Sequence, residues 1–173
     1  MTNISIIVAV SDNNVIGRNG TLPWQVKADM KYFHQKTKNH IIICGRKTHE
    51  SIVKRLGHPL KNRKTIVMTK QKHYKMPKNC VQALSWEKAI KAAKAKERRK
   101  VFVIGGEEIF KIALPHAKKM YITRIHKIVD DGDAFFPEYD KNEWKLADYQ
   151  HHCCDTIENK SPFTLETWER RKK

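Results

Sequence analysis

The sequence has few acidic residues, few glycines and prolines, and no long apolar segment. Its 173 residues include 35 Lys and Arg, 18 Asp and Glu, seven glycines and six prolines. It contains no repeat, no low-complexity stretch and no Gly- or Pro-rich linker. The longest apolar run, residues 6–10, is far too short to cross a bilayer. We therefore predict one globular domain over residues 1–173, without a membrane span.

The cysteines are few and poorly spaced for disulfides or metal. Cys44, Cys80, Cys153 and Cys154 form no Cys-x-x-Cys pair, and adjacent cysteines rarely bridge each other. The run of residues 151–154, His-His-Cys-Cys, would be split between two faces of a strand, so we expect no metal. The first residues lack a basic leader and a cleavage site, so we predict a cytoplasmic protein with reduced thiols.

The formal net charge of +17 predicts attraction to phosphates, anionic cofactors or nucleic acid. The densest basic run, residues 91–100, contains no aromatic residue. Proteins that bind single strands interleave stacking aromatics with their cations, so we expect no specific nucleic-acid partner. Nucleic-acid binding stays open as an alternative, and a steep dependence on salt would identify it.

Asp29 is the only acidic residue between Asp12 and Glu50. In a helix, Val26, Asp29, Met30 and Phe33 would share one apolar face, which turns the carboxylate toward the interior. A buried carboxylate needs a hydrogen-bonding or cationic partner, or it takes up a proton with a raised pKa. The partner could be backbone groups of a satisfied core, or it could be a ligand.

Apolar strands and amphipathic helices alternate along most of the chain. Strands are predicted at residues 4–10, 40–44, 65–69, 80–84, 101–104 and 120–125. One helix is predicted to begin near residue 26 or 27, a second to follow residues 45–48 and end at about residue 54, and two more to cover residues 85–96 and 107–113. Residues 144–154 and 163–170 read as two long antiparallel strands. The pattern predicts an α/β fold: a mostly parallel central sheet of about eight strands, an antiparallel C-terminal edge and about four flanking helices.

Three candidate phosphate sites follow predicted strands, at the edge where α/β sheets bind ligands. Residues 45–48, Gly-Arg-Lys-Thr, combine close backbone approach with positive charge at a helix start. Thr69 and Lys70 end the third strand, and Gly105-Gly106 precedes a further helix. Together they suggest a dinucleotide with an extra phosphate, whose reactive ring lies near Asp29.

Several motifs, in this order, resemble the dihydrofolate reductase family. They are Ala9-Val10, Val15-Ile16-Gly17, Leu22-Pro23-Trp24, Ala28-Asp29-Met30 with Phe33, Gly45-Arg46-Lys47-Thr48 with Glu50-Ser51-Ile52, Pro59-Leu60 with Arg63, Val103-Ile104-Gly105-Gly106, Tyr121-Ile122-Thr123, and Gly132-Asp133 before Phe136-Pro137. The resemblance implies reduction of dihydrofolate to tetrahydrofolate with NADPH, which supports one-carbon metabolism and thymidylate synthesis and makes the protein an antifolate target. It also implies a monomer whose partner is a small molecule.

The resemblance assigns Asp29 to the pterin and implies that it promotes protonation of the pterin ring. The implied catalytic residues are Asp29, Leu22, Trp24 and Thr123. The implied substrate-binding residues are Ile7, Asp29, Met30, Phe33, Ile52, Leu60, Arg63, Ile104, Phe110 and Thr123, with Arg63 on the tail carboxylate. The implied cofactor-binding residues are Ala9, Ile16, Gly17, Asn19, Gly20, Thr21, Leu22, Gly45, Arg46, Lys47, Thr48, Met68, Thr69, Lys70, Gly105, Gly106, Glu107, Glu108, Ile109 and Phe110. The cations among them favour NADPH over NADH.

The sequence departs from the family pattern at a few positions. His49 replaces an aromatic residue, Phe110 stands where Tyr is common, and residues 53–58 add length that we expect to form a loop beside the tail pocket. A related reductase of the riboflavin pathway is the alternative enzyme. It lacks the Leu-Pro-Trp loop followed by a helical Asp, so Trp24 and Asp29 argue against it.

Overall fold

The apolar runs of the sequence form neighbouring strands in a computed structural model, which describes residues 3–94, 100–154 and 159–171. The strands of this described part are β1 (Ile4–Ser11), β2 (Val15–Gly17), β3 (Ile41–Gly45), β4 (Lys64–Met68), β5 (Cys80–Ala83), β6 (Val101–Gly105), β7 (Lys119–Ile125), β8 (Ala134–Phe135), β9 (Trp144–His152) and β10 (Phe163–Arg170). The α-helices are α1 (Lys27–Thr37), α2 (Arg46–Leu56), α3 (Trp86–Lys94) and α4 (Glu107–Ala113).

Eight of these strands form one sheet in the order β5-β4-β3-β6-β1-β7-β10-β9, and β2 pairs with β8 in a small second sheet. Neighbours from β5 to β7 run parallel, whereas β10 runs antiparallel to both β7 and β9. The predicted fold class, a mostly parallel sheet with an antiparallel C-terminal edge, is confirmed. The carboxyl ends of β1, β3, β4 and β6 therefore meet at one edge.

Both faces of the central strands are buried, which explains why their sequences read as continuous apolar runs. Ile43 and Val103 point into the main core, while Ile42 and Phe102 point into a second cluster on the other face. Each such side chain contributes roughly 1.5–3 kcal/mol by leaving water. This burial fixes the register of the strands and thus the positions of the loops at their carboxyl ends.

The structure differs from the sequence predictions in three places. Strands β2 and β8 were not predicted, because three and two residues are too short to show a period. The added length after Ile52 is not a loop: α2 continues to Leu56 and ends at Gly57, whose φ of 75° is left-handed. The end of the predicted third helix, residues 95–96, lies outside the described residues.

No helix in the described ranges is long and apolar enough to span a membrane.

Candidate active site

Asp29 lies in the first turn of α1 and is buried, with 8% of its surface exposed. The residue before the helix, Val26, offers no side-chain cap, and the N–H of Ala28 instead donates to Oδ1 of Asn159 at 3.0 Å. The Thr123 hydroxyl on β7 hydrogen-bonds the Asp29 carboxyl. The predicted orientation of Asp29 toward the interior is therefore confirmed.

The environment of Asp29 favours its protonated form. Burial raises the pKa of this carboxyl to about 6, and the hydrogen bond with Thr123 opposes that rise only in part. Among the described residues, no Lys or Arg forms an ion pair with it. A carboxyl of this kind can exchange a proton near neutral pH or bind a cationic, hydrogen-bonding heterocycle.

One prediction about this helix face was wrong. Met30 is 37% exposed. The inward-facing side of α1 runs through buried Asp29, half-buried Phe33 and buried Thr37, at i, i+4 and i+8. Met30 lies about 100° away from Asp29 around the helix axis.

Trp24 is buried beside Val15 and Val26 at the start of α1. Its Nε1 has no protein acceptor in the described structure, so this donor is available to a ligand or to ordered water. Thr123 pairs in register with Ala9 on β1. Trp24, Asp29 and Thr123 thus belong to neighbouring elements around one corner of the sheet.

Most residues predicted to hold the rest of the substrate come together on the same face of the sheet. Ile7 is buried in a cluster with Ile42, Phe102 and Tyr121, and Phe33, Leu60 and Ile104 pack against that cluster. Ile52 is half-buried on α2. Phe110 is fully buried in the main core on the other side, and its ring would be 3.4 Å from a Cβ placed on Gly105. It therefore lies under the Gly-Gly turn.

Arg63, the predicted partner of the substrate tail, is buried at the edge of this pocket, 7% exposed. Its Nε donates to Thr37 Oγ1 at 2.8 Å, its Nη1 to the Lys61 carbonyl at 2.7 Å, and its Nη2 lies 3.1 Å from Nδ1 of His34. Within the described residues, no carboxylate pairs with this guanidinium. A buried and unpaired cation is a binding position for an anionic group.

The glycines predicted to face the cofactor are in close contact with other backbone and side chains. A Cβ on Gly106 would lie 3.2 Å from Thr48 Oγ1, and one on Gly45 would lie 3.2 Å from the Ile109 side chain. The peptide bond between Gly105 and Gly106 is cis. Because Gly45 and Gly106 have no side chain, the start of α2 lies directly against the end of β6.

The cations predicted for the phosphates surround this point. Gly45 precedes α2 without a side-chain cap, so the first N–H groups of this 11-residue helix are open to an anion. Lys47 and Lys70 are exposed, whereas Arg46 already forms a two-point ion pair with Glu50. Beyond buried Met68, Thr69 Oγ1 accepts from the N–H of Gln71 at 3.1 Å. An uncapped helix start beside exposed cations is suited to an anionic group.

The two acidic residues at the start of α4 are paired with a cation of the same helix. Both Glu107 and Glu108 pair with Lys111, at 2.8 and 3.0 Å. Glu107 also accepts from the N–H of Phe135 at 3.0 Å. Its charge is compensated within the protein.

The loop of residues 17–22, which carries five of the residues implied to bind the cofactor, is held from two sides by hydrogen bonds and an ion pair. The N–H of Asn19 donates to Asp133, the Asp133 N–H donates to the Gly17 carbonyl at 3.1 Å, and Arg18 pairs with Asp131 at 2.9 Å. Thr21 closes a turn on Arg18. The hydroxyl of Ser51, on α2, donates to the Gly20 carbonyl. Leu22, at the end of the loop, is 38% exposed, and Ile16 packs on the main core.

Sequence reasoning missed several residues of this site. Asn159 caps α1 from 131 residues away, and no local signal marks such a contact. His34 could have been suspected, because it follows Phe33 and lies three positions before Thr37 on one side of α1. In the described parts of the chain, no group of three or more His, Cys, Asp and Glu side chains is placed to hold a metal ion.

Comparison with known proteins identifies the family of this chain. A family model described as dihydrofolate reductase matches residues 3–170. The dihydrofolate reductase of Staphylococcus haemolyticus is 40% identical over 142 residues, which are 82% of this chain and 81% of that protein. The dihydrofolate reductase of Bacillus subtilis (strain 168) is 37% identical over 163 residues, 94% of this chain and 90% of that protein.

A solved structure gives the same result for the fold. The dihydrofolate reductase from Enterococcus faecalis, complexed with NADP(H) and RAB-propyl, has a TM-score of 0.87 to this chain at 32% identity. The match covers 98% of this chain and 97% of that one. The chain therefore belongs to the dihydrofolate reductase family.

Proposed function

We propose that this protein catalyses the reduction of 7,8-dihydrofolate to 5,6,7,8-tetrahydrofolate with NADPH, a step of one-carbon metabolism that supplies thymidylate synthesis. The observation that carries the proposal is the buried Asp29 carboxyl, whose pKa is raised to about 6. It stands beside Thr123, at the sheet edge where the glycines and cations also lie. No other acidic residue of the described chain combines such burial with such a shift.

In the proposed reaction the cofactor provides the hydride, and the protein positions the substrate and promotes its protonation. When bound, NADPH supplies the hydride that goes to the ring carbon of dihydrofolate. The ring nitrogen beside that carbon must gain a proton to balance the charge. Asp29 hydrogen-bonds the pterin and promotes this protonation, while Thr123 and Trp24 hold the carboxyl and an ordered water in place. Leu22, at the end of its tethered loop, covers the reacting rings and excludes bulk water.

Substrate and cofactor specificity follow from other residues. The apolar cluster around Ile7 and Phe33 packs on the middle of the substrate, with Met30 and Ile52 at its borders, and Arg63 binds the tail carboxylate as a planar fork. Arg46, Lys47, Thr48, Thr69 and Lys70 hold the phosphates. Since these cations attract the extra phosphate of NADPH, which NADH lacks, the protein prefers NADPH to NADH.

A spectrophotometric assay tests substrate and cofactor together. We expect dihydrofolate-dependent oxidation of NADPH, with NADH much poorer. Asp29→Asn should lower kcat/KM at pH 7 by roughly 10²- to 10⁴-fold, because it removes the proton-active group. Asp148→Asn, which changes an exposed carboxylate on β9, is the matched control and should keep full activity. Full activity of Asp29→Asn at pH 7 would contradict the catalytic assignment.

We further propose a monomeric, cytoplasmic enzyme whose partners are small molecules. The free thiols of Cys44, Cys80, Cys153 and Cys154 are typical of a reducing compartment. Light scattering on the purified protein tests the monomer. Gel-shift experiments with DNA and RNA at rising salt test for nucleic acid, because backbone binding would weaken steeply with ionic strength.

A further inference from the structure

The hydrogen bonds that Arg63 makes within the protein leave one of its N–H groups free for a ligand. It has five N–H bonds, and the protein accepts from four of them. The acceptors are Thr37 Oγ1 at 2.8 Å, the Lys61 carbonyl at 2.7 Å, the His34 carbonyl at 3.4 Å and His34 Nδ1 at 3.1 Å. A carboxylate that binds at two points needs two N–H groups, so one of these acceptors must leave.

The four acceptors differ in how easily they can leave. Thr37 is fully buried and is itself fixed by donating to the Phe33 carbonyl at 2.7 Å. Two acceptors are backbone carbonyls and cannot move without disturbing α1 or the turn before β4. The imidazole of His34 is an exposed side chain that can rotate into solvent. His34 is therefore the acceptor that a carboxylate oxygen would replace.

Protonation decides whether His34 can hold Arg63 at all. A neutral imidazole presents one nitrogen as an acceptor, but an imidazolium has two donors and no acceptor. Resting on the proposed function, and on Arg63 as its tail-binding cation, we propose that His34 is a positioning residue for the substrate tail. Neutral His34 accepts from Arg63, and charged His34 releases Arg63 and turns to the carboxylate. Binding of the tail is thereby coupled to proton uptake by His34.

The charges around His34 set the direction of this coupling. Lys31 lies at i−3 on α1, Lys38 lies at i+4 as the residue after the helix, and Lys61 and Arg63 come from the turn before β4. The one nearby acid on α1, Asp29, is buried. These cations repel an imidazolium, whereas a bound carboxylate attracts it. Lower pH should therefore strengthen binding of the tail.

The experiment compares two ligands that differ only in the tail. Dissociation constants of dihydrofolate and of 7,8-dihydropterin, which has no tail, are measured without NADPH between pH 8 and pH 5.5. Their ratio cancels the protonation of Asp29 and of the pterin, which both ligands share. For the wild-type protein we expect the preference for dihydrofolate to increase about threefold toward pH 5.5, the size of an exposed charge interaction.

Variants separate this role from a structural one. His34→Gln keeps an acceptor for Arg63 but cannot become charged, so its preference should be independent of pH. His73→Gln removes a histidine beyond the other end of β4 and should keep the wild-type slope. A flat ratio in the wild type, or an unchanged slope in His34→Gln, would overturn the proposal for His34 alone. Failure to bind either ligand would overturn the proposed function as well.

Discussion

Burial of the Asp29 carboxyl lowers the stability of the folded protein at neutral pH. Its pKa is about 6 in the folded state and 3.8 in the reference state, so the folded protein holds this proton more tightly than the unfolded chain. The free energy of unfolding should therefore fall as the pH rises from about 4 to about 6, and stay low above that. The burial that raises the pKa of Asp29 therefore also lowers the free energy of unfolding at neutral pH.

We predict that Asp29→Asn stabilises the protein while it inactivates it. At pH 8 the free energy of unfolding should rise by up to about 3 kcal/mol, because the variant has no charge to desolvate. The gain should vanish below about pH 4, where the wild-type carboxyl is protonated in both states. Urea unfolding at both pH values measures it, with Asp148→Asn as control. Parallel pH profiles of wild type and Asp29→Asn would contradict the raised pKa.

Thr37 stabilises the substrate pocket through two hydrogen bonds. Its hydroxyl donates to the Phe33 carbonyl and accepts from Nε of Arg63. Thr37→Val keeps the shape but leaves a buried N–H of Arg63 unsatisfied, which should cost about 1–3 kcal/mol of stability. Thr37→Ser, which retains the hydroxyl, should recover most of the loss. Thermal or urea denaturation measures it, and equal stabilities of the two variants would exclude this hydrogen bond as the cause.

At the scale of elements, the small β2–β8 sheet connects the loop over the predicted nicotinamide site to the segment after β7. Gly132 lies directly against Val15, and a Cβ at this position would overlap the Val15 side chain. The same segment supplies Asp131 and Asp133, which hold Arg18 and Asn19. The position of the loop thus depends on a glycine more than 100 residues away.

We predict that Gly132→Ala lowers kcat by about tenfold, because the added Cβ displaces β2 and the loop that follows it. The overlap with buried Val15 should also lower the free energy of unfolding by about 1–3 kcal/mol. Gly57→Ala is the matched control. A Cβ on Gly57 meets nothing within 4 Å, so this change costs only the left-handed backbone, about 1 kcal/mol, and should leave kcat unchanged. Steady-state measurement of kcat for both variants tests this prediction. Equal kcat values would show that Gly132 does not position the loop.

The elements could be predicted from sequence where burial on both sides leaves a continuous apolar run, as in β1, β3 and β6. The positions of the loops at their carboxyl ends followed, so Gly45 and Gly106 could be placed at one edge of the sheet. What could not be predicted depends on contacts distant in sequence. The Asn159 cap is one such contact, and the exposure of Met30 is another. Both features depend on which distant residues pack against α1, and a local sequence pattern does not encode that packing.

At the scale of the whole molecule, the positive charge is distributed unevenly. Residues 30–86 contain fourteen Lys and Arg but a single acidic residue, Glu50. This segment forms most of α1, all of α2, and β3–β5, the half that holds the predicted phosphate and tail sites. Both proposed ligands are anionic. The excess charge therefore attracts them to the cleft over distances beyond direct contact.

We predict that the association of NADPH is accelerated by this charge. In stopped-flow measurements the association rate constant should fall as salt rises. Replacing the exposed Lys72, Lys75 and Lys78 with Gln should lower it about 3- to 10-fold at low ionic strength. A control triple change of exposed lysines in the other half, Lys118, Lys141 and Lys145, should have little effect. Equal effects of the two sets would show that only total charge matters.

The Asn159 side chain that caps α1 has a consequence for biosynthesis. A ribosome that has just added Asp29 must still add 130 residues before Asn159 is joined to the chain. At roughly 5–20 residues per second, that interval is on the order of ten seconds. Strand β10, which flanks Thr123, is synthesised later still. A nascent polypeptide stalled before these residues would be inactive, so translation must pass β10 before the first turnover.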